Sequence, residues 1–200
     1  MGARKPFLYV VVCAAGIASE AGTLIGAAQE EGYDVGVVAT PQALGFLDRG
    51  AVEAATGFPI RSAWRLPGEP RPLPPPDAIA VAPATFNTVN KWAAGISDTL
   101  ALGILCEAYG FGIPTAVLPY LNTAQAAHPA YRRSLDRLRE MGVLISGYRP
   151  HPPEQAGQAG QAGQAGQAGQ AEEAGQADRG ADTFRWEEAL ELLAPVVKGR

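Results

Sequence analysis

Short apolar runs rich in β-branched residues alternate along this chain with stretches of helical periodicity, and this alternation limits the fold more than any other feature. The first run, 8–12, reads LYVVV, which is typical of a strand covered on both faces. Apolar residues then recur at intervals of three and four over 18–31, which predicts an amphipathic helix that stops at Gly32. A second buried strand is predicted at 35–38, so a β-α-β unit opens the pattern.

The same alternation continues to residue 145. The further predicted elements are strands at 78–82, 115–118 and 143–145, and helices at 88–94, 100–109 and 130–141. Buried strands that alternate with helices favour a parallel sheet, because each crossover helix must cover one face of it. The predicted fold class is therefore α/β: a doubly wound parallel sheet in a three-layer α/β/α sandwich, Rossmann-like or flavodoxin-like.

The C-terminal part of the chain has a different composition. Residues 155–169 repeat QAG five times and lack the apolar side chains that offset the entropy of ordering a chain. We therefore predict a folded domain over 1–148, a flexible linker over 149–181 and a C-terminal helix within 182–200. Apolar spacing places that helix at 184–194, docked on the domain or on a neighbour, with its length limited by Pro195.

Charge and cysteine content exclude several classes of protein. The net charge is −4 and no basic run occurs, which argues against a nucleic-acid partner. No segment approaches about 18 uninterrupted apolar residues, which argues against a membrane span, and the apolar run near the N-terminus is short for a signal peptide. The only two cysteines, Cys13 and Cys106, lie far apart in apolar stretches. This pattern predicts reduced thiols in a cytoplasmic protein and no metal site.

Ligands of open parallel sheets bind outside the carboxyl ends of the strands. The predicted loops at this edge, which are rich in small or hydrogen-bonding residues, are 13–19, 40–44, 83–90 and 119–128. The first runs into a helix N-terminus, where free N–H groups favour a phosphate, but it lacks the G-x-G-x-x-G of a dinucleotide site. Thr40 ends the second strand and suits a mononucleotide phosphate. A tight turn of small residues with an incidental threonine is the alternative.

The third loop carries the most specific motif. Residues 82–101 read APATFNTVNKWAAGISDTLA. They resemble the P-A-S-A-N-T and K-x-A-x-G-x-x-D-x-L motifs of the flavoproteins that include phosphopantothenoylcysteine decarboxylase, peptidyl-cysteine decarboxylases and flavin prenyltransferases, with Thr85 in place of Ser. Residues 15–18, 40–43 and 119–122 resemble that family's G-S-I-A, T-x-x-A and P-x-M-N segments in the same order.

The resemblance implies a homo-oligomer, trimeric or larger, that binds FMN near a subunit interface and acts on a small-molecule or peptide substrate bearing a carboxylate or a thiol. The residues it implies for flavin binding are Gly16, Ala18, Thr40, Thr85, Asn87 and Thr88. Asn122 is the implied substrate-facing residue. His128 lies close to it in sequence and is the candidate general base, the alternative being a residue that only begins a helix.

The sequence also departs from the decarboxylase pattern. The resemblance predicts a histidine near Arg61, and an arginine is a poor base because it stays protonated. Leu121, Gln125 and Ala126 replace the Met, Met and Trp of the fuller P-x-M-N-x-x-M-W motif, and no cysteine follows Gly147, where a flap cysteine is expected. An FMN-dependent decarboxylase with an altered active site and a non-catalytic flavin-binding or regulatory module are both open hypotheses. A flavin prenyltransferase is a third, disfavoured because no extra basic residues are evident near the crevice.

Three further residues receive structural interpretations. His151 follows the last predicted strand and is assigned to the linker. Cys13 lies beside the first loop but is interpreted as a small core residue rather than a nucleophile. Trp92 is interpreted as packing in the core or between subunits, with flavin contact as the alternative.

Overall fold

A five-stranded parallel sheet forms the centre of the protein. The computed structural model describes residues 4–153 and 184–197. The strands are β1 (Phe7–Val12), β2 (Asp34–Ala39), β3 (Ala78–Ala84), β4 (Thr115–Pro119) and β5 (Leu144–Ile145). Their order in the sheet is β2-β1-β3-β4-β5, and every neighbouring pair is parallel. The predicted fold class is confirmed.

Helices cover both faces of this sheet. They are α1 (Gly22–Glu30), α2 (Arg49–Thr56), α3 (Phe86–Ala93), α4 (Leu100–Gly110), α5 (Thr123–Ala127), α6 (Pro129–Glu140) and α7 (Glu188–Val197), with 3-10 helices at Ala18–Ala21 and Pro41–Phe46. Side chains of β1 enter two cores alternately: Leu8 packs in the core with α1 and α7, and Tyr9 packs in the core with α3, α4 and α6. Strands buried on both faces explain the uninterrupted apolar runs. None of the helices in the described ranges is both long enough and apolar enough to cross a lipid bilayer.

Four helices differ from the sequence-based expectation: α1, α2, α5, which lies in the predicted loop 119–128, and α7. Helix α2 was not predicted, because Val52 is its only buried residue and no apolar periodicity results. Its termini carry the signal instead: the Asp48 side chain accepts a hydrogen bond from the Ala51 N–H, and Gly57 follows the helix with a φ of 73°. The predicted helix over 18–31 begins as the 3-10 helix and becomes α1 at Gly22.

The predicted limits of the C-terminal helix were wrong. Helix α7 begins at Glu188 rather than at 184, and it continues past Pro195 to Val197. Pro195 is tolerated because it lies in the last turn, where its missing N–H removes a single hydrogen bond of the helix. The QAG tract at 155–169 lies outside the described residues.

Helix α7 is part of the core of the domain. Its buried residues Ala189, Leu190 and Leu193 pack with residues of β3 and β4 in the same core as α1. Leu193→Ala should lower the free energy of unfolding by about 2–5 kcal/mol, because it opens a cavity at a fully buried site. Urea denaturation measures this loss. Val196→Ala is the matched control, since Val196 is 39% exposed on the same helix, and an equal loss in both variants would contradict the docking.

Candidate functional site

A cleft of about 570 Å³ opens at the carboxyl edge of the sheet, between the loops that follow β1, β2, β3 and β4. The predicted site residues that line it are Gly16, Thr40, Thr85, Asn87, Thr88 and Asn122. Ala18 and His128 are not among its lining residues. The parallel topology brings these loops together, because it places the ends of all four strands at one edge.

The loop after β1 offers unused backbone donors to the cleft. In the part of the chain that the structure describes, neither Gly16 nor Ile17 donates a backbone hydrogen bond, as is usual for the first residues of a helical segment. The Ala18 N–H instead donates to the Ala15 carbonyl at 2.9 Å, and Ala18 itself is fully buried. Thr40 is only 8% exposed at the cleft wall, and its side chain makes no capping hydrogen bond. Gly16 and Thr40, which both line the cleft, therefore form a corner suited to an anion.

The loop after β3 forms a rigid wall of the cleft. Thr85 caps α3: its Oγ1 accepts from the Thr88 N–H at 3.3 Å and lies 3.0 Å from the Thr88 Oγ1. Thr88 is buried, whereas Asn87 is exposed, and both line the cleft. This capped helix start fixes the positions of the polar groups that follow β3.

Cys13 is a core thiol behind this wall. It is fully buried, and burial raises the pKa of its thiol above the usual value. Hydrogen bonds from the Thr88 side chain and the Thr85 backbone offset part of that rise. Its complete burial is consistent with the interpretation of Cys13 as a small core residue.

Asn122 marks the wall that follows β4. Its Oδ1 accepts from the Gln125 N–H at 2.9 Å and so caps the short helix α5. Lys91 and Asp98 also line the cleft, and they form an ion pair with each other. In the described ranges no cluster of His, Cys, Asp and Glu side chains could hold a metal ion.

His128 lies outside the cleft. It is an exposed residue that caps α6, where its Nδ1 accepts from the Ala130 N–H at 3.1 Å. The edge of its ring packs on Phe86, which itself lines the cleft, at a centroid distance of 5.7 Å. The structure thus gives His128 the helix-capping role that the sequence left as the alternative to a general base.

Arg61 and Trp92 also lie away from the cleft. Arg61 forms a parallel bridge with Val38 and lines a separate groove together with Trp64. Trp92 is 2% exposed and donates its Nε1–H to the Leu105 carbonyl at 3.2 Å. Trp92 is therefore a core residue.

His151 is the cleft residue that the sequence analysis missed. Assignment to the linker was wrong for this residue, because it forms a parallel bridge with Asn122 and accepts from the Thr123 N–H at 2.8 Å. Its ring lies 4.9 Å from that of Tyr120, and both residues line the cleft. The sequence signal for this contact lies in two aromatic residues, Tyr148 before the QAG tract and Phe184 after it. Both of their rings pack on Tyr120.

Comparison with known proteins assigns the family. A family model described as Flavoprotein matches residues 3–169. This chain belongs to the flavoprotein family. The match covers the loops that form the cleft, so the lining residues of this flavoprotein lie within the family's own domain.

The curated relatives of this flavoprotein include bifunctional proteins of coenzyme A biosynthesis, named CoaBC. The relative from Mycolicibacterium smegmatis is 31% identical over 150 residues, which is 72% of this chain and 35% of the relative. The relative from Thermococcus kodakarensis is 29% identical over 119 residues, which is 56% of this chain and 29% of the relative. The chain thus spans about a third of the length of these relatives.

Solved structures with the same fold include two kinds of decarboxylase. The FMN-dependent cysteine decarboxylase TvaF of thioviridamide biosynthesis superposes with a TM-score of 0.63 at 28% identity, over 72% of this chain and 91% of that one. A PPC decarboxylase variant complexed with pantothenoylaminoethenethiol gives a TM-score of 0.58 at 26% identity, over 72% of this chain and 82% of that one.

Proposed function

We propose that this flavoprotein binds FMN in the cleft and catalyses the oxidative decarboxylation of a small molecule or peptide that ends in a cysteine residue. The observation that carries the proposal is the convergence of the motif-bearing loops after β1, β2, β3 and β4 on this cleft. TvaF is described as an FMN-dependent cysteine decarboxylase, which supports both the cofactor and the reaction.

The residues of the cleft fit FMN. Its volume of about 570 Å³ lies within the range of small-molecule sites, roughly 300–1,000 Å³. The free N–H groups of Gly16 and Ile17 and the Thr40 hydroxyl are donors for a phosphate, which needs no lysine at a helical N-terminus. Thr85 and Asn87, which also line the cleft, would border the isoalloxazine ring.

The chain itself must orient the substrate, while bound FMN supplies a two-electron acceptor. The Asn122 Oδ1 is held by the Gln125 N–H, which leaves the Asn122 amide N–H groups as donors for the substrate carboxylate. The cap on α5 fixes that amide, so that the carboxylate is held in one orientation before it leaves as carbon dioxide.

A non-catalytic flavin-binding module is the second candidate function. The observation that favours it is the position of Arg61, which lies near the place where the resemblance predicts a histidine and lines a groove away from the cleft. This reading predicts FMN binding without turnover.

Purification and mass spectrometry separate the two functions. The proposal predicts a yellow protein that releases FMN on heating, and conversion of phosphopantothenoylcysteine or of a cysteine-ended peptide with loss of carbon dioxide. A yellow protein without turnover on either substrate class would support the binding module. A colourless protein that FMN cannot reconstitute would refute both.

We propose that the partner of this chain is a second copy of itself. The proposed location is the cytoplasm, where the two free cysteines would stay reduced. Exposed apolar side chains gather around α4: Phe111 directly follows it, Tyr109 lies on it, and the Trp64 indole packs against Gly103 with no room for a Cβ there. Patches of this kind on a folded surface mark interaction sites. We therefore expect a second copy of the chain to cover this face.

Phe111→Glu should convert the oligomer into smaller species, because a charge would replace a side chain that is 72% exposed in the single chain. Size-exclusion chromatography with light scattering measures the mass. Val196→Glu is the control, since Val196 is exposed on α7 and lies away from α4. An unchanged mass in both variants would place the interface elsewhere.

A further inference from the structure

We propose that His151 is the catalytic base of this flavoprotein, and that its Nε2 accepts the thiol proton of the substrate. The inference rests on the proposed decarboxylase function and names the residue that replaces the missing family histidine. Two observations carry it: the position of the His151 ring and the ring nitrogen that holds the proton.

The position of His151 is fixed from two sides. Its backbone forms a bridge with Asn122, and its carbonyl accepts from the Thr123 N–H at 2.8 Å. These backbone contacts hold His151 beside Asn122, the residue proposed to orient the substrate carboxylate. Its ring packs on Tyr120 at 4.9 Å, and Tyr120 in turn packs on Phe184 at 5.7 Å. A cysteine residue held at Asn122 would therefore present its thiol beside this ring, because the thiol and the carboxylate of cysteine are close together.

The hydrogen bond of the ring decides which nitrogen is the base. The Nδ1 of His151 lies 2.9 Å from the Pro152 carbonyl oxygen, and a carbonyl oxygen can only accept. The proton of the neutral ring is therefore on Nδ1, which leaves the lone pair on Nε2. His128 has the opposite arrangement, because its Nδ1 accepts from the Ala130 N–H and its Nε2 must carry the proton. Of the two histidines in the chain, only His151 combines a place in the cleft with a free Nε2 lone pair.

The step is a single proton transfer. The S–H bond of the substrate breaks, an N–H bond forms at Nε2, and the electron pair stays on sulfur as a thiolate. The thiolate is the electron-rich form that bound FMN would oxidise by two electrons. Two ion pairs lie near the ring: Lys91 and Asp98, which line the cleft, pair with each other, and Arg185 pairs with Glu191. Arg149 and Glu188 line the adjoining pocket, where the Glu188 Oε1 accepts from the Gly147 N–H.

The test compares His151→Asn with His128→Asn. An asparagine at 151 keeps a donor near the Pro152 carbonyl but removes Nε2, and an asparagine at 128 keeps an acceptor for the Ala130 N–H. We expect His151→Asn to lower kcat by roughly 10²- to 10⁴-fold, the range of general-base catalysis, measured at saturating FMN so that a change in flavin affinity does not contribute. Loss of turnover in His128→Asn with retention in His151→Asn would overturn the assignment.

A second measurement does not depend on turnover. Nitrogen-15 NMR of the flavin-free protein reports which ring nitrogen is protonated, and the two variants assign the two histidines. We expect the Nδ1–H tautomer for His151 and the Nε2–H tautomer for His128. An Nε2–H tautomer at His151 would overturn the proposal. A wild type that binds FMN but converts no substrate would remove the proposed activity and this role together, whereas an active His151→Asn variant would remove this role alone.

Discussion

Gly16→Asp should weaken FMN binding roughly a thousandfold, because two unit charges about 4 Å apart repel by about 4 kcal/mol at an effective dielectric constant of about 20. The new carboxylate would stand where the free N–H groups of Gly16 and Ile17 are proposed to hold the phosphate. The backbone tolerates the change, since Gly16 is not among the glycines with a positive φ. Titration of the flavin-free protein with FMN, followed by flavin fluorescence, measures the dissociation constant.

Ser19→Asp is the matched control for this prediction. Ser19 is exposed on the adjoining 3-10 helix and does not line the cleft. The aspartate of this variant therefore adds the same charge at a position that solvent screens. The dissociation constant of FMN from Ser19→Asp should stay within about threefold of the wild-type value. Equal weakening by both variants would mean that net charge, rather than the corner at Gly16, governs FMN affinity.

Asn122→Asp should lower kcat/KM for a cysteine-ended peptide by roughly a hundredfold or more, because it sets a negative charge against the substrate carboxylate. The fold should be retained, since an aspartate oxygen can accept from the Gln125 N–H as the Asn122 Oδ1 does. Steady-state kinetics with the peptide acid measure the loss, and a parallel FMN titration separates it from any change in flavin affinity.

Two comparisons isolate the charge effect at Asn122. Asn122→Ala removes the cap and the donor without adding charge, so it should lose less kcat/KM than the aspartate variant despite a less stable α5. A peptide with an amidated C-terminus should inhibit the wild type and Asn122→Asp equally, because it carries no carboxylate to repel. Weaker inhibition of the aspartate variant by the amide would contradict a carboxylate contact at this residue.

The sequence predicted the sheet because its strands are buried on both faces. Every residue of β1 is buried, so the run at 8–12 could be recognised without any alternation of polar residues. Helix α2 was missed because only Val52 is buried in it, and its signal lies in Asp48 and Gly57 at its ends. At Pro195 the sequence predicted too short a helix. The helix continues to Val197, because a proline in the last turn removes only one backbone hydrogen bond.

The site was predictable only where local motifs follow a strand. Thr85, Thr88 and Asn122 follow β3 and β4 directly, so the topology places them at one edge and the sequence identified them. His151 reaches the same cleft through a bridge to Asn122 and through packing on Tyr120, which depend on contacts outside any motif. His128 was chosen by its proximity to Asn122 in sequence, and the structure shows that its Nδ1 caps α6 and that it is not among the lining residues of the cleft.

The loops after β1, β2, β3 and β4 are proposed to form an FMN site. A crystal structure of the protein reconstituted with FMN tests it most directly. We expect the phosphate at the N–H groups of Gly16 and Ile17 beside Thr40, and the isoalloxazine ring between Thr85 and Asn122. Flavin density elsewhere on the protein, or a cleft that stays empty at saturating FMN, would contradict it.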